Sequence, residues 1–263
     1  MMIYPDIDPV ALQLGPLKIH WYGLMYLLGF LSAWWLGSVR AKSPGSNWTK
    51  EQVSDLIFYG AVGLILGARL GYILFYNFSA FLDDFAILFK IWEGGMSFHG
   101  GLLGVLIAFW LFGRKTQKNF FQISDFIVPM APIGLGAGRI GNFINGELLG
   151  RPADPALPWS MIYPHVDSIA RHPSSLYQAL TEGALLFIIL WIYSSKPRPL
   201  MSTSALFLLL YGAFRFTTEF FREPDSHLGF IAFNWMTMGQ LLSLPMIVFG
   251  VGLLVYSFRR AKQ

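Results

Sequence analysis

Five charged residues stand inside long apolar stretches of the chain: Arg69, Arg139, Glu182, Arg215 and Glu219. A charge at the centre of a bilayer costs about 3 kcal/mol or more. Such residues face a bundle interior or a polar cavity, and they mark a functional site, an internal ion pair or an arginine snorkelling to the headgroups. Arg215 and Glu219 are spaced i, i+4, which allows a pair on one helix face. Two glycine-rich segments flank these charges. Gly94 to Gly101 contains His99, and Gly134 to Glu147 contains Arg139, Asn142, Asn145 and Glu147. A guanidinium is a rigid fork of donors, and with amide donors beside it the set suits a phosphate. Glycines let a backbone approach a ligand closely, although in membrane helices they also serve as packing faces. The five histidines, His20, His99, His165, His172 and His227, show no zinc-ligand spacing, so neither a metal nor another cofactor is expected. His99 is singled out by its depth and its glycine neighbours; the plain alternative is a hydrogen-bonded packing histidine. The chain has no cysteine. Any thiol chemistry must therefore use a thiol of the substrate.

The elements that position these residues follow from hydropathy. The 263 residues are 54% hydrophobic and only 13% charged, with the apolar residues gathered in blocks. That pattern belongs to a chain whose solvent is lipid. A span needs roughly 20 apolar residues to cross about 30 Å of hydrocarbon. Seven are expected, at about 19–38, 54–76, 96–113, 123–141, 175–193, 203–221 and 236–257. The expected fold is thus an all-α integral membrane protein, a single polytopic domain over 1–263, because lipid leaves an open chain no other way to satisfy its backbone. Trp21, Tyr22, Trp92, Trp159, Tyr163, Tyr193 and Trp235 stand near block ends, where an interfacial belt lies.

Lysine and arginine orient the spans. Arg40, Lys42, Lys50, Arg114, Lys115, Lys118, Lys196, Arg198, Arg259, Arg260 and Lys262 fall on one side, against Lys18, Lys90, Arg151, Arg171 and Arg222 on the other. The richer set is expected in the cytoplasm, the N-terminus outside and the C-terminus inside. Residues 77–95 and 142–174 then form longer outer segments. Asp6 and Asp8 precede the first apolar block, so a removable signal peptide is not expected. On this topology Tyr22, Arg69, His99, Arg139, Arg215 and Glu219 all fall in the outer half. A proton or ion pathway would spread polar groups through the full thickness. The absence of an internal repeat also argues against a secondary transporter. An intramembrane protease would need a Ser/His pair, and Ser97 and His99, two residues apart, do not share a helix face. No basic patch interleaved with aromatics suggests a nucleic-acid partner. From residues alone the expectation is an outer-leaflet site for an anionic lipid. A transporter or channel for an anionic solute or lipid stays open as the alternative.

A resemblance carries the reading further. Gly138-Arg139-Ile140-Gly141-Asn142-Phe143-Ile144-Asn145-Gly146-Glu147-Leu148-Leu149-Gly150 resembles the signature of the prolipoprotein diacylglyceryl transferase family, G-R-x-G-N-F-x-N-x-E-x-x-G, at every fixed position. His20-Trp21-Tyr22-Gly23, Gly67-Ala68-Arg69-Leu70-Gly71-Tyr72, Phe98-His99-Gly100-Gly101-Leu102, Arg171-His172-Pro173-Ser174 and Tyr211-Gly212-Ala213-Phe214-Arg215 are also similar to family segments. The resemblance implies seven spans in the bacterial inner membrane with a periplasmic active site. It implies transfer of an sn-1,2-diacylglyceryl group from phosphatidylglycerol to the lipobox cysteine of a prolipoprotein signal peptide, with release of glycerol 1-phosphate. It assigns Arg139 and Arg215 to the phosphate and makes His99 a candidate base for the cysteine thiol. Asn142, Asn145, Glu147 and Gly150 are expected at the glycerol headgroup or around the arginines, Tyr22 and Arg69 along the cavity, and Glu219 behind Arg215.

Overall fold

A computed structural model describes residues 1–90, 92, 94–225 and 228–263. In chain order the elements are β1 (Met2–Ile3), β2 (Val10–Leu14), β3 (Leu17–His20), α1 (Trp21–Ala41), α2 (Lys50–Tyr76), α3 (Phe78–Asp83), α4 (Phe98–Thr116), α5 (Phe120–Ile127) and α6 (Ala131–Ile144). There follow β4 (Met161–Ile162), β5 (Ala170–Arg171), α7 (Ser174–Gln178), a π-helical stretch Ala179–Leu185, α8 (Leu186–Tyr193), α9 (Ser202–Thr218) and α10 (Met238–Arg260).

Helices occupy all seven stretches read from hydropathy. Among the described residues, Trp21–Ala41, Lys50–Tyr76, Ser174–Tyr193 and Met238–Arg260 are each long and apolar enough to cross a membrane. The pair α5 and α6 adds a fifth candidate if it counts as one span. Where a span was expected at about 123–141 the chain forms two helices whose axes bend by 54°. Pro129 lies in the break and Pro132 in the first turn of α6. A proline lacks the N–H that would continue the ladder, and it pushes the preceding residue, here Val128, out of the helical region. The helices also display apolar side chains that water would not tolerate: Val248 and Phe249 are 69% and 71% exposed. The chain is a mostly helical, multi-pass membrane protein.

Two compact units are present, residues 1–33 with 127–263, and residues 34–126. In the second unit a capping box starts α2, Thr49 and Gln52 each accepting from the other's backbone N–H. Gly63, Gly67 and Gly71 of α2 face Gly100 and Gly104 of α4, and a Cβ on Gly71 would fall 2.7 Å from the Gly100 Cα. The two backbones therefore touch along this stripe. In the first unit α9 and α10 pack at Gly212, where a Cβ would lie 2.9 Å from Ile247. The strands are short and were not foreseen: β1 pairs in parallel with β4, β4 antiparallel with β5, and β2 with β3 in a hairpin. Two-residue strands leave no periodicity to read.

Candidate functional site

The buried charges of the first unit converge because two helices meet at glycine. A Cβ on Gly136 of α6 would lie 2.9 Å from the Gly183 Cα, and one on Gly183 would lie 2.7 Å from the Gly136 Cα. Gly183 belongs to the π-helical stretch, a widened turn of the kind often found at functional sites. Close approach there brings Arg139, three residues after Gly136, to Glu182, one before Gly183. Arg139 Nη2 stands 3.4 Å from Glu182 Oε2.

Glu182 is fully buried, and Thr218 Oγ1 donates to its Oε1 at 3.2 Å. Arg215 Nη1 lies 3.7 Å from the same oxygen, and its Nη2 pairs with Glu219 Oε1. Glu219 is also buried. It accepts from Arg222 Nη1 at 3.1 Å and from Thr237 Oγ1 at 2.7 Å, while Gly239 leaves room for its carboxylate at the start of α10. Four helical segments thus supply one ionic cluster. Arg139 lies five residues from the end of α6, about 7 Å by helical rise, and Glu182 eight residues into its helix, about 12 Å.

The arginine contacts to Glu182 are longer than ordinary hydrogen bonds, which run about 2.7–3.2 Å. Arg215 Nη1 is buried without a hydrogen-bond partner. Three guanidiniums, of Arg139, Arg215 and Arg222, meet the two buried carboxylates, and Arg222 Nη2 also pairs with Asp225 Oδ1 at 2.5 Å, so the cluster is balanced in charge. A phosphodiester oxygen would take the unused Arg215 donor.

The signature turn closes α6. Asn142 is buried, and its carbonyl accepts from the Glu147 N–H at 2.9 Å. Asn145 Nδ2 donates to Glu147 Oε1 at 2.6 Å, while Asn145 Oδ1 is buried without a partner. Gly146 turns the chain at φ +65°. Glu147 is exposed. Gly150, expected at the headgroup, is buried: its carbonyl accepts from Arg171 Nη1 at 3.0 Å, and a Cβ there would collide with His172. Arg151 ties the same strand to the end of α9, donating to the carbonyls of Arg222 at 2.9 Å and Glu219 at 3.2 Å.

Tyr22 packs on Gly141, where a Cβ would fall 2.8 Å from its ring. Its ring meets Tyr26 edge-on at 5.3 Å, and Tyr26 is within electrostatic reach of Arg139. Tyr26, Glu182, Thr218, Arg222 and Thr237 complete the cluster. Sequence reasoning gave none of them a role, although Tyr26 follows Tyr22 by one helical turn and Glu182 was marked as a buried charge.

Arg69 and His99 belong to the second unit. Arg69 is 3% exposed and donates to the carbonyls of Gly94 and Ile87, to Gly95 at 3.1 Å and to Lys90 at 2.9 Å. Its guanidinium also lies 5.8 Å from the Tyr72 ring centroid. The side chain expected to line a cavity fastens Ile87, Lys90, Gly94 and Gly95 to α2. Ser97 caps α4, accepting from the Gly100 N–H at 3.2 Å. His99, two residues on, is exposed, with its ring edge against Phe98.

The segment between α6 and α7 is braced by charge. Arg171 pairs with Asp167 at 2.6 Å and Glu223 at 2.9 Å, and the bond from Arg171 holds the Asp167 carboxyl below its usual range. Burial pushes the Tyr163 phenol up to about 12 and lowers the His172 imidazole. His172 Nδ1 lies 3.2 Å from the Tyr177 hydroxyl. His20 and His165 are exposed, and His227 lies outside the described residues.

Comparison with known proteins identifies the family. The sequence profile described as prolipoprotein diacylglyceryl transferase matches residues 9–256. The phosphatidylglycerol–prolipoprotein diacylglyceryl transferase of Coxiella burnetii is 58% identical over 263 residues, the whole of both chains. Its namesakes in Ectopseudomonas mendocina and Pseudomonas aeruginosa are 57% identical over 261 residues and 56% over 260, each covering 99% of this chain and 97% of the relative. With a profile match along nearly its whole length and relatives this close, the chain belongs to the prolipoprotein diacylglyceryl transferase family.

Proposed function

We propose that the chain moves the diacylglyceryl group of phosphatidylglycerol onto the thiol of a prolipoprotein lipobox cysteine, the first step of lipoprotein maturation. The observation that carries this reading is the cluster of Arg139 and Arg215 sharing the one buried carboxylate of Glu182 at long distances, with an unused guanidinium donor on Arg215. The thiol gives up its proton, and the thiolate attacks the sn-3 carbon of the glyceryl group. A carbon–sulfur bond forms and the carbon–oxygen bond to phosphate breaks, its electron pair leaving with glycerol 1-phosphate. Negative charge grows on the departing phosphate, and guanidiniums held in a low-dielectric site stabilise it. Asn142, Asn145 and Glu147 orient the glycerol head, and Glu219 positions Arg215. The thiol's ordinary pKa of about 8.5 calls for a base or a strong positive field. His99 is the candidate base, a role histidine commonly fills.

The same proposal includes seven crossings of the bacterial inner membrane, with the N-terminus and the site on the periplasmic side. The imbalance of lysine and arginine between the loops supports it, as do the apolar α4 and α9 beside the five candidate spans. The test is release of glycerol phosphate by purified, folded protein given phosphatidylglycerol and a lipobox peptide. Release is expected with the cysteine peptide, none with a Cys→Ser peptide, and none from Arg139→Ala. No release with the cysteine peptide would return the chain to a lipid-binding or transport role.

A further inference from the structure

The last turn of α6 carries the headgroup amides, yet its end is held from the far N-terminus of the chain. The Tyr4 hydroxyl donates to the carbonyls of Phe143 at 2.9 Å and Ile144 at 2.7 Å, across 139 and 140 residues. The last carbonyls of a helix have no partner within it, and although that of Phe143 also accepts from the Gly146 N–H at 3.0 Å, the Tyr4 hydroxyl caps that of Ile144 from a distant part of the chain. Tyr4 itself is 4% exposed. Its ring stacks on Tyr163 at 4.9 Å and meets Phe143 edge-on at 5.4 Å. Its backbone is fixed by the pairing of β1 with β4, and the Tyr4 N–H donates to the Ile162 carbonyl at 2.8 Å. On the other side of the turn the His165 ring occupies the space that a Cβ of Gly146 would need, 2.8 Å from Nε2. The Asn145-Gly146-Glu147 turn is therefore gripped between β1 and the outer segment.

We infer that Tyr4 is a positioning residue for phosphatidylglycerol recognition, acting through the end of α6 on Asn142, Asn145 and Glu147. This inference rests on the function proposed above. Arg139 lies one turn deeper and is held separately, by Glu182 and by the Gly136–Gly183 contact. Loss of the Tyr4 cap should therefore loosen the headgroup end of the site and leave the phosphate end in place.

Tyr4→Phe deletes the hydroxyl and keeps the ring. Initial rates are measured on the full-length protein in mixed micelles, varying phosphatidylglycerol and lipobox peptide separately, with phosphatidylethanolamine as a competing donor. The expected result is a KM for phosphatidylglycerol raised about fivefold, the worth of one net hydrogen bond. The KM for peptide should not change, and discrimination against phosphatidylethanolamine should fall by a similar factor. Gly146→Ala, which presses the same turn against His165, should show the same split, so the inference stays testable if Tyr4→Phe does not fold. It is overturned if the phosphatidylglycerol KM is unchanged, if both KM values rise equally, or if only the thermal stability moves. Inactivity of the unmutated protein would overturn the proposed function instead.

Discussion

Glu182→Gln tests the cluster most directly. It replaces a fully buried carboxylate by a neutral isostere while Arg139 and Arg215 remain 3.4 and 3.7 Å away. Breaking a buried ion pair by removing one partner costs about 3–5 kcal/mol, because the other charge is left uncompensated. The long contacts, with the Arg139 and Arg215 side chains 20% and 14% exposed, place this site at the lower end, about 3 kcal/mol. For a chain of this size each kcal/mol lowers the unfolding temperature by about 2–4 °C, so a fall of about 6–12 °C is expected without lipid. The same change raises the positive charge of the cluster by one unit. A phosphate about 6 Å from the lost carboxylate gains about 3 kcal/mol at an effective dielectric constant near 20, roughly a hundredfold in affinity. Phosphatidylglycerol should therefore restore much of the lost stability in the variant and bind it more tightly than the unmutated protein. The assay is thermal unfolding in detergent with and without phosphatidylglycerol, together with a binding titration. If the variant unfolds at the unmutated temperature and binds the lipid no more tightly, Glu182 is not the counter-charge of a phosphate site.

Arg139→Lys should lose at least about tenfold, and as much as a hundredfold, in kcat/KM, because a point charge cannot replace a guanidinium fork; near-normal turnover would remove Arg139 as a phosphate clamp. His99→Gln should lower the rate and spare phosphatidylglycerol binding, and a pH–rate profile identical to that of the unmutated protein would remove His99 as the base. The lowered His172 pKa gives the folded chain fewer protons than the unfolded chain as pH falls below about 6.5. Stability is therefore complete above that pH and declines below it, and unfolding temperatures from pH 8 to 5 should show a smaller decline in His172→Gln.

Composition alone dictated a multi-pass helical protein, because so apolar a chain can satisfy its backbone in lipid only through helices. Local spacing made the Arg215–Glu219 pair legible, since residues four apart on a helix share a face whatever surrounds it. The Gly138–Gly150 signature was enough to identify the family. What lay beyond reach were relations between elements. Arg69 has the look of a cavity residue in sequence, yet its donors reach carbonyls of the segment 87–95. Gly150 sits in a functional signature, and it is buried where the chain runs against the His172 backbone. Glu182 gains its meaning from Arg139, Arg215 and Thr218 on two other helices, and the end of α6 gains its cap from Tyr4. Periodicity determines which residues share a face of one helix. Which face meets which, and at what depth, was decided only when glycines such as Gly136 and Gly183 let two backbones touch, because that contact sets the register at which the charges meet.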